Sequence, residues 1–176
     1  IAWAAIPAFL KTRYNTNEIL TTLMLTYIGL LFLSLLIHGP MKDPDGMNFP
    51  ESKLFHDAAL LPIIYAETRL HLGFLIALSL IFISWLLLSR HVIGFEMKVI
   101  GMAPKAASFA GYNKNRIVWL SFIITGACSG LAGVCEVAGP LGQIVPTISP
   151  GYGFTAIIVA FVGRLNPVGI LFSGLL

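Results

Sequence analysis

Three stretches of this chain run without a charged side chain for 19 or 20 residues: Ile19–Ile37, Leu70–Ser89 and Ile117–Cys135. A helix rises about 1.5 Å per residue, so each stretch can cross roughly 30 Å of hydrocarbon. With their polar shoulders they predict membrane spans at about 17–38, 70–89 and 117–139. After Glu136, 27 uncharged residues from Val137 to Gly163 break the pattern with Gly139-Pro140, Pro146, Pro150-Gly151 and Gly153. These residues interrupt helical hydrogen bonding, and the cleaner run from Phe154 to Val162 is too short to span alone. The expectation is a broken segment over 144–163, with a short helix from Gly151 that either crosses or re-enters. The apolar run from Val168 reads as a truncated span, and with Ile at residue 1 the chain is expected to belong to a longer polytopic protein. The fold class is all-α: a polytopic transmembrane helix bundle, with residues 1–176 as part of a single transmembrane domain.

Charge gives the orientation. The loop from Ser89 to Arg116 holds Arg90, Lys98, Lys105, Lys114 and Arg116 against Glu96, a net +4. The loop from His38 to His71 holds Lys42, Lys53 and Arg69 against Asp43, Asp45, Glu51, Asp57 and Glu67, a net −2. Lysine and arginine favour the cytoplasmic side, so the former loop is assigned there, and Lys11, Arg13 and Arg164 then fall on the same side. In the outer loop, Gly39-Pro40, Pro44-Asp45-Gly46 and Pro50 mark turns, and Ala58–Ala66, interrupted by Pro62, is expected to lie along the interface. Trp85 and Trp119 fit an aromatic belt at the inner surface.

Composition agrees with this placement. Hydrophobic residues make up 57% of the 176 positions and charged residues only 11%, too few to cover a water-soluble surface. The mean hydropathy is +0.86. Disorder is excluded, because such an apolar chain collapses or inserts. A net charge of +3, spread along the chain, gives no nucleic-acid footprint. Cys128 and Cys135 lie about 10 Å apart along a helix, beyond disulfide reach, and read as small packing residues. No spacing indicates a metal site, no histidine pair has a catalytic context, and no phosphate-binding GxxxxGK motif occurs.

Candidate function therefore rests on polar groups inside the spans. Thr125, Ser129 and Glu136 fall within about 40° on a helical wheel, with Ser121 slightly farther round. Glu136 can line a translocation pathway, sit at the outer interface, or serve as a structural hydrogen-bond partner. Thr22 and Thr26 form a second stripe, either lining a pathway or bonding their own preceding carbonyls, while Asn17 and Glu18 read as a helix cap. Gly126 and Gly130 make a GxxxG that lets a neighbouring helix approach closely. Gly101 to Gly111 reads as one or two turns of helix outside the bilayer, with Pro104 near its start and Gly111 as its stop. Such a short helix is marginal alone and is expected to dock on something.

The segments Asn17–Ile28, Gly39–Pro44, Thr68–Gly73, Gly94–Gly101, Ser149–Phe154 and Gly163–Gly169 together give a resemblance. The sequence resembles inner-membrane permease subunits of bacterial ABC importers, in the simple-sugar and nucleoside branch of the ribose and branched-chain amino acid permease superfamily. The resemblance implies a permease domain that translocates a small polar solute. Its implied partners are a second permease subunit (homo- or heterodimer), two cytoplasmic ATPase subunits and an extracytoplasmic solute-binding protein. ATP and magnesium would reside on the ATPases, so no cofactor and no catalytic residue is assigned to this chain. The implied location is the bacterial inner (plasma) membrane. The pathway residues would be Thr22, Thr26, Thr125, Ser129 and Glu136, and Gly101 to Gly111 would be the coupling helix, on a framework of Gly101, Pro104, Ala106, Ala107, Ala110 and Gly111. Family members often carry Asn at the position of Ala103, Arg at Ser108 and Asn at Thr26. An intramembrane enzyme or a passive channel using Glu136 is the alternative reading.

Overall fold

Helices form where the caps and apolar runs place them. The computed structural model describes residues 1–44, 49–64 and 71–176. Among these, eight α-helices follow in order: α1 (Ala2–Tyr14), α2 (Glu18–His38), α3 (Leu72–Arg90), α4 (Val92–Met102), α5 (Pro104–Phe109), α6 (Lys114–Glu136), α7 (Tyr152–Val162) and α8 (Pro167–Leu175). Three asparagines start helices by accepting a first-turn N–H: Asn17 from Ile19 at 3.0 Å, Asn113 from Arg116 at 3.3 Å and Asn166 from Val168 at 3.2 Å. Helices α2, α3 and α6 with its continuation to Leu141 are long and apolar enough to cross a membrane. Most of their large apolar side chains face outward, as they do when the bilayer is the solvent. The chain is a multi-pass membrane protein.

Helix α1 is a wedge between α2 and α6. Trp3 packs over Gly29, and a methyl group added at Gly126 would sit 2.4 Å from the Ala4 Cβ. Farther down, Trp119 Nε1 donates to Thr12 Oγ1 at 3.2 Å, so α1 runs antiparallel to α6. At the opposite end of α6, a methyl at Gly73 would lie 3.1 Å from the Cys135 Cβ, which makes α3 antiparallel to α6 as well. The ends at Tyr14, Glu18, Arg90 and Lys114 thus gather on one side, and those at His38, His71 and Glu136 on the other. Lys11, Arg13, Arg90, Lys98, Lys105, Lys114 and Arg116 share the first side, as the charge pattern predicts.

Ala2–Tyr14, where the sequence pattern predicts no element, form α1; Pro7 sits inside it and hides its helical signal. The region before Gly101 read as loop, yet Val92–Met102 is helical, started by His91, whose Nδ1 accepts the Ile93 N–H at 3.3 Å. Gly101 belongs to the last turn of α4, and the short helix expected from Gly101 begins at Pro104. Beyond Glu136 the chain does not stop but widens into a π-turn over Val137–Leu141. Pro140 is the cause: its ring cannot pack against the carbonyl four residues earlier, and the turn swells to accommodate it.

The outer loop is strapped to this turn. Ser52 N–H donates to the Ile144 carbonyl at 3.0 Å and Ser52 Oγ accepts the Ile144 N–H at 2.8 Å. Phe55 N–H reaches the Gly142 carbonyl at 2.9 Å and Leu61 N–H the Ala138 carbonyl at 2.8 Å. The predicted turn at Gly39-Pro40 is present. Asp45, Gly46, Ala66, Glu67, Thr68, Arg69 and Leu70, on which other expectations rested, lie outside the described residues. At the far end α7 and α8 are bent by 119°. The corner is made by a backbone crossing: a methyl at Gly169 would lie 2.3 Å from the Gly163 carbonyl oxygen. Arg164 and Leu165 between them take φ values of 53° and 55°, the left-handed region that L-residues avoid. Residues 168–175, read as the start of a truncated span, thus fold back beside α7.

Candidate translocation groove and docking helix

Four of the five predicted pathway residues share one groove. Thr22 and Thr26 from α2 meet Thr125 and Ser129 from α6 across a cavity of about 250 Å³ whose remaining wall is the start of α1, Ile1 to Pro7. The hydroxyls are oriented by their own helices. Thr22 donates to the Glu18 carbonyl at 2.8 Å, Thr26 to Thr22 at 2.9 Å, Thr125 to Ser121 at 2.9 Å and Ser129 to Gly126 at 3.2 Å. A hydroxyl has one proton and two lone pairs, so each oxygen remains an acceptor toward the groove. Pro7, in the same wall, cannot donate to the carbonyl of Trp3 four residues earlier. The surface is apolar with acceptor oxygens set into it.

Thr22 and Thr26 also line a second groove of about 260 Å³ on the other flank of α2, closed by Ser149, Gly151, Gly153 and Phe154. The loop that breaks the helical pattern therefore meets the threonine stripe, which neither segment's sequence reveals by itself. Glu136 is elsewhere. It lines a groove of about 430 Å³ between α3 and α6 with His71, Cys128 and Cys135, both cysteines being free. Tyr152 Oη donates to Glu136 Oε1 at 3.4 Å, and the His71 ring packs against Gly73 and Gly139. The helical wheel put Glu136 in line with Ser129, but seven residues of rise carry it past the hydroxyl groove.

Helix α5 is built on one buried side chain. Ala107 is 2% exposed and packs on Ile100 of α4 and Ile117 of α6, with Tyr112 beside them. Gly111 at φ 81° ends the helix: its N–H donates to the Ser108 carbonyl at 3.2 Å, and Tyr112 N–H reaches back to Ala107 at 3.0 Å. This double reversal fixes α5 against α6. Pro104 occupies its first position, where a missing N–H costs nothing. Ala106, Ala110, Gly101 and Gly111 are exposed. So are Met102 at 87% and Phe109 at 92%, two large apolar side chains that sequence reading did not select. Their signal was an apolar residue on each side of a polar turn, indistinguishable from a core position without the fold.

A family model described as branched-chain amino acid transport system / permease component matches residues 1–176. The chain is 36% identical to the glucose ABC transporter permease protein TsgB13 of Haloferax volcanii, over 98% of this chain and 48% of the relative. It is 31% identical to the guanosine ABC transporter permease protein NupP of Bacillus subtilis, over 99% of this chain and 51% of the relative. With the nucleoside ABC transporter permease protein NupB of Lactococcus lactis it shares 32% identity, over 97% of this chain and 49% of that protein. The chain spans about half the length of these relatives. No solved structure matches it. With that match over its whole length and three helices apolar enough to cross a membrane, the chain belongs to the branched-chain amino acid transport system permease component family.

Proposed function

We propose that this chain is the membrane-spanning part of an ABC importer in the inner membrane, and that it moves a polar solute rich in hydrogen-bond donors, a simple sugar or a nucleoside. One observation carries the reading: α6 holds the docking helix at its first turn, through Ile117 on Ala107, and presents Thr125 and Ser129 to the groove two to three turns later. A push on α5 therefore reaches the groove through one rigid rod. The acceptor oxygens suit a solute whose O–H and N–H groups need partners once they leave water. Glucose, guanosine and nucleoside transport by the relatives agrees with that chemistry.

In this mechanism ATP binding and hydrolysis occur on two cytoplasmic ATPase subunits, and a second permease subunit and an extracytoplasmic binding protein complete the assembly. The lysine-rich side faces the cytoplasm and Met102 and Phe109 meet the ATPase. The test is uptake of labelled glucose and guanosine by the full-length permease, reconstituted in proteoliposomes with its ATPases and binding protein. Ser129→Phe, which fills the groove, is expected to lower ATP-driven uptake about tenfold or more, a barrier rise of at least roughly 1.4 kcal/mol. Undiminished uptake in this variant, or wild-type uptake that persists without ATP, would overturn the reading.

A further inference from the structure

The side of the molecule that gathers the cationic residues also contains a polar groove that the transport reading does not use. It has a volume of about 310 Å³ and lies between the last turn of α1 and the first turn of α6, lined by Lys11, Arg13, Asn15, Lys114 and Asn115. Lys11 is paired with Glu18. Among the described residues Arg13 and Lys114 form no salt bridge, and the Glu18 carboxylate acts on Lys114 as well as on Lys11, so three cations stand against one anion around this small volume. Asn15, held at φ 51°, and Asn115 add side-chain amides that donate hydrogen bonds.

The surroundings say what kind of anion fits. Phe9 and Tyr14, on α1 within a turn of the groove, are 51% and 66% exposed and stack edge to face at 6.3 Å. Trp119, one turn along α6, has its ring N–H tied to Thr12. Exposed aromatic rings beside cationic side chains at the end of a membrane helix mark the boundary between hydrocarbon and headgroups. A freely dissolved anion would gain nothing from Phe9 and Tyr14, whereas a lipid brings an acyl chain to the rings and a phosphate to the groove. Basic pockets between membrane helices are suited to such headgroups.

We infer that the groove between α1 and α6 binds the headgroup of an anionic phospholipid, with Arg13 and Lys114 on the phosphate and Phe9 and Tyr14 against the acyl chain. The bound lipid would clasp α1 to α6, two of the three helices that wall the hydroxyl groove.

The experiment uses the full-length permease in nanodiscs of phosphatidylcholine and phosphatidylglycerol, with retained lipid counted by native mass spectrometry after extraction. Wild type is expected to retain phosphatidylglycerol in preference to phosphatidylcholine. The double variant Arg13→Gln, Lys114→Gln should weaken that retention about thirtyfold, since each cation near a lipid surface contributes roughly 1 kcal/mol. A control pair with the same charge loss elsewhere, Lys98→Gln with Arg164→Gln, should retain lipid as wild type does. Thermal unfolding in phosphatidylcholine alone checks that the double variant is folded; a folded variant that keeps its phosphatidylglycerol would overturn the inference. Displacement of the lipid by inorganic phosphate at millimolar concentration would overturn it too, by assigning the groove to a free anion. These outcomes are independent of ATP and of uptake, so they stand or fall apart from the transport reading.

Discussion

Phe109 and Ala107 sit two residues apart on α5 and should respond in opposite ways to substitution. Phe109 is 92% exposed, so Phe109→Ala removes no contact within the chain and should change its thermal stability by no more than about 0.5 kcal/mol. If the ring is buried against an ATPase subunit, its loss should cost roughly 1.5 to 3 kcal/mol of association, about ten- to a hundredfold in Kd. Ala107 is 2% exposed between Ile100 and Ile117. Ala107→Leu inserts three carbons where none fit, and should destabilise the permease itself by about 1 to 3 kcal/mol. The assay is a titration of purified ATPase subunits onto the full-length permease in nanodiscs, paired with thermal unfolding of each permease alone. Wild-type ATPase affinity in Phe109→Ala would refute the assignment of that face to the partner. A loss of affinity in Ala107→Leu with unchanged unfolding would show that Ala107, not Phe109, makes the contact.

Other consequences are equally direct. Gly169→Ala drives a methyl into the Gly163 carbonyl region, backbone against backbone, and should lower stability by about 1 to 3 kcal/mol; an unchanged unfolding midpoint would mean that the α7–α8 corner is formed differently. Asn17→Ala should cost about 1 kcal/mol through loss of the α2 cap, and Asn17→Asp should restore most of it, both read by thermal unfolding. Ser52 is buried, and Ser52→Ala leaves the Ile144 N–H without its acceptor; amide exchange at Gly142 to Ile144 should accelerate, and unaltered exchange would deny the strap its role.

The sequence was legible where one physical signal dominated. Long charge-free runs located α2, α3 and α6 to within a few residues, because a bilayer imposes both a length and a polarity on each span. Asn17 announced a cap and became one, since a short amide acceptor before an apolar run has few other uses. The charge asymmetry anticipated which helix ends share a side. Helix α1 was not legible: with Pro7 inside and only 13 residues, its helicity comes from packing against Gly126 and Gly29, which are distant in sequence. Helix α4 was hidden by Glu96 and Lys98, whose charges look like loop but lie on a helix. For the site, helical periodicity grouped Thr125 with Ser129, and Thr22 with Thr26, but it could not pair the two stripes. It also overextended the first to Glu136, because a wheel projects away the rise along the axis.

The π-turn over Val137–Leu141 amounts to one supernumerary residue threaded into the upper end of α6. Excising Pro140 would remove the surplus together with the ring that demands it, and would draw Gly142 to Ile144 one residue closer to α6. Gln143 and Ile144 would then be displaced from Glu51 and Ser52, and the external lariat would lose its moorings at one stroke. The register of the whole outer face is thus encoded by a local surplus in the chain, not by the loop that rests upon it.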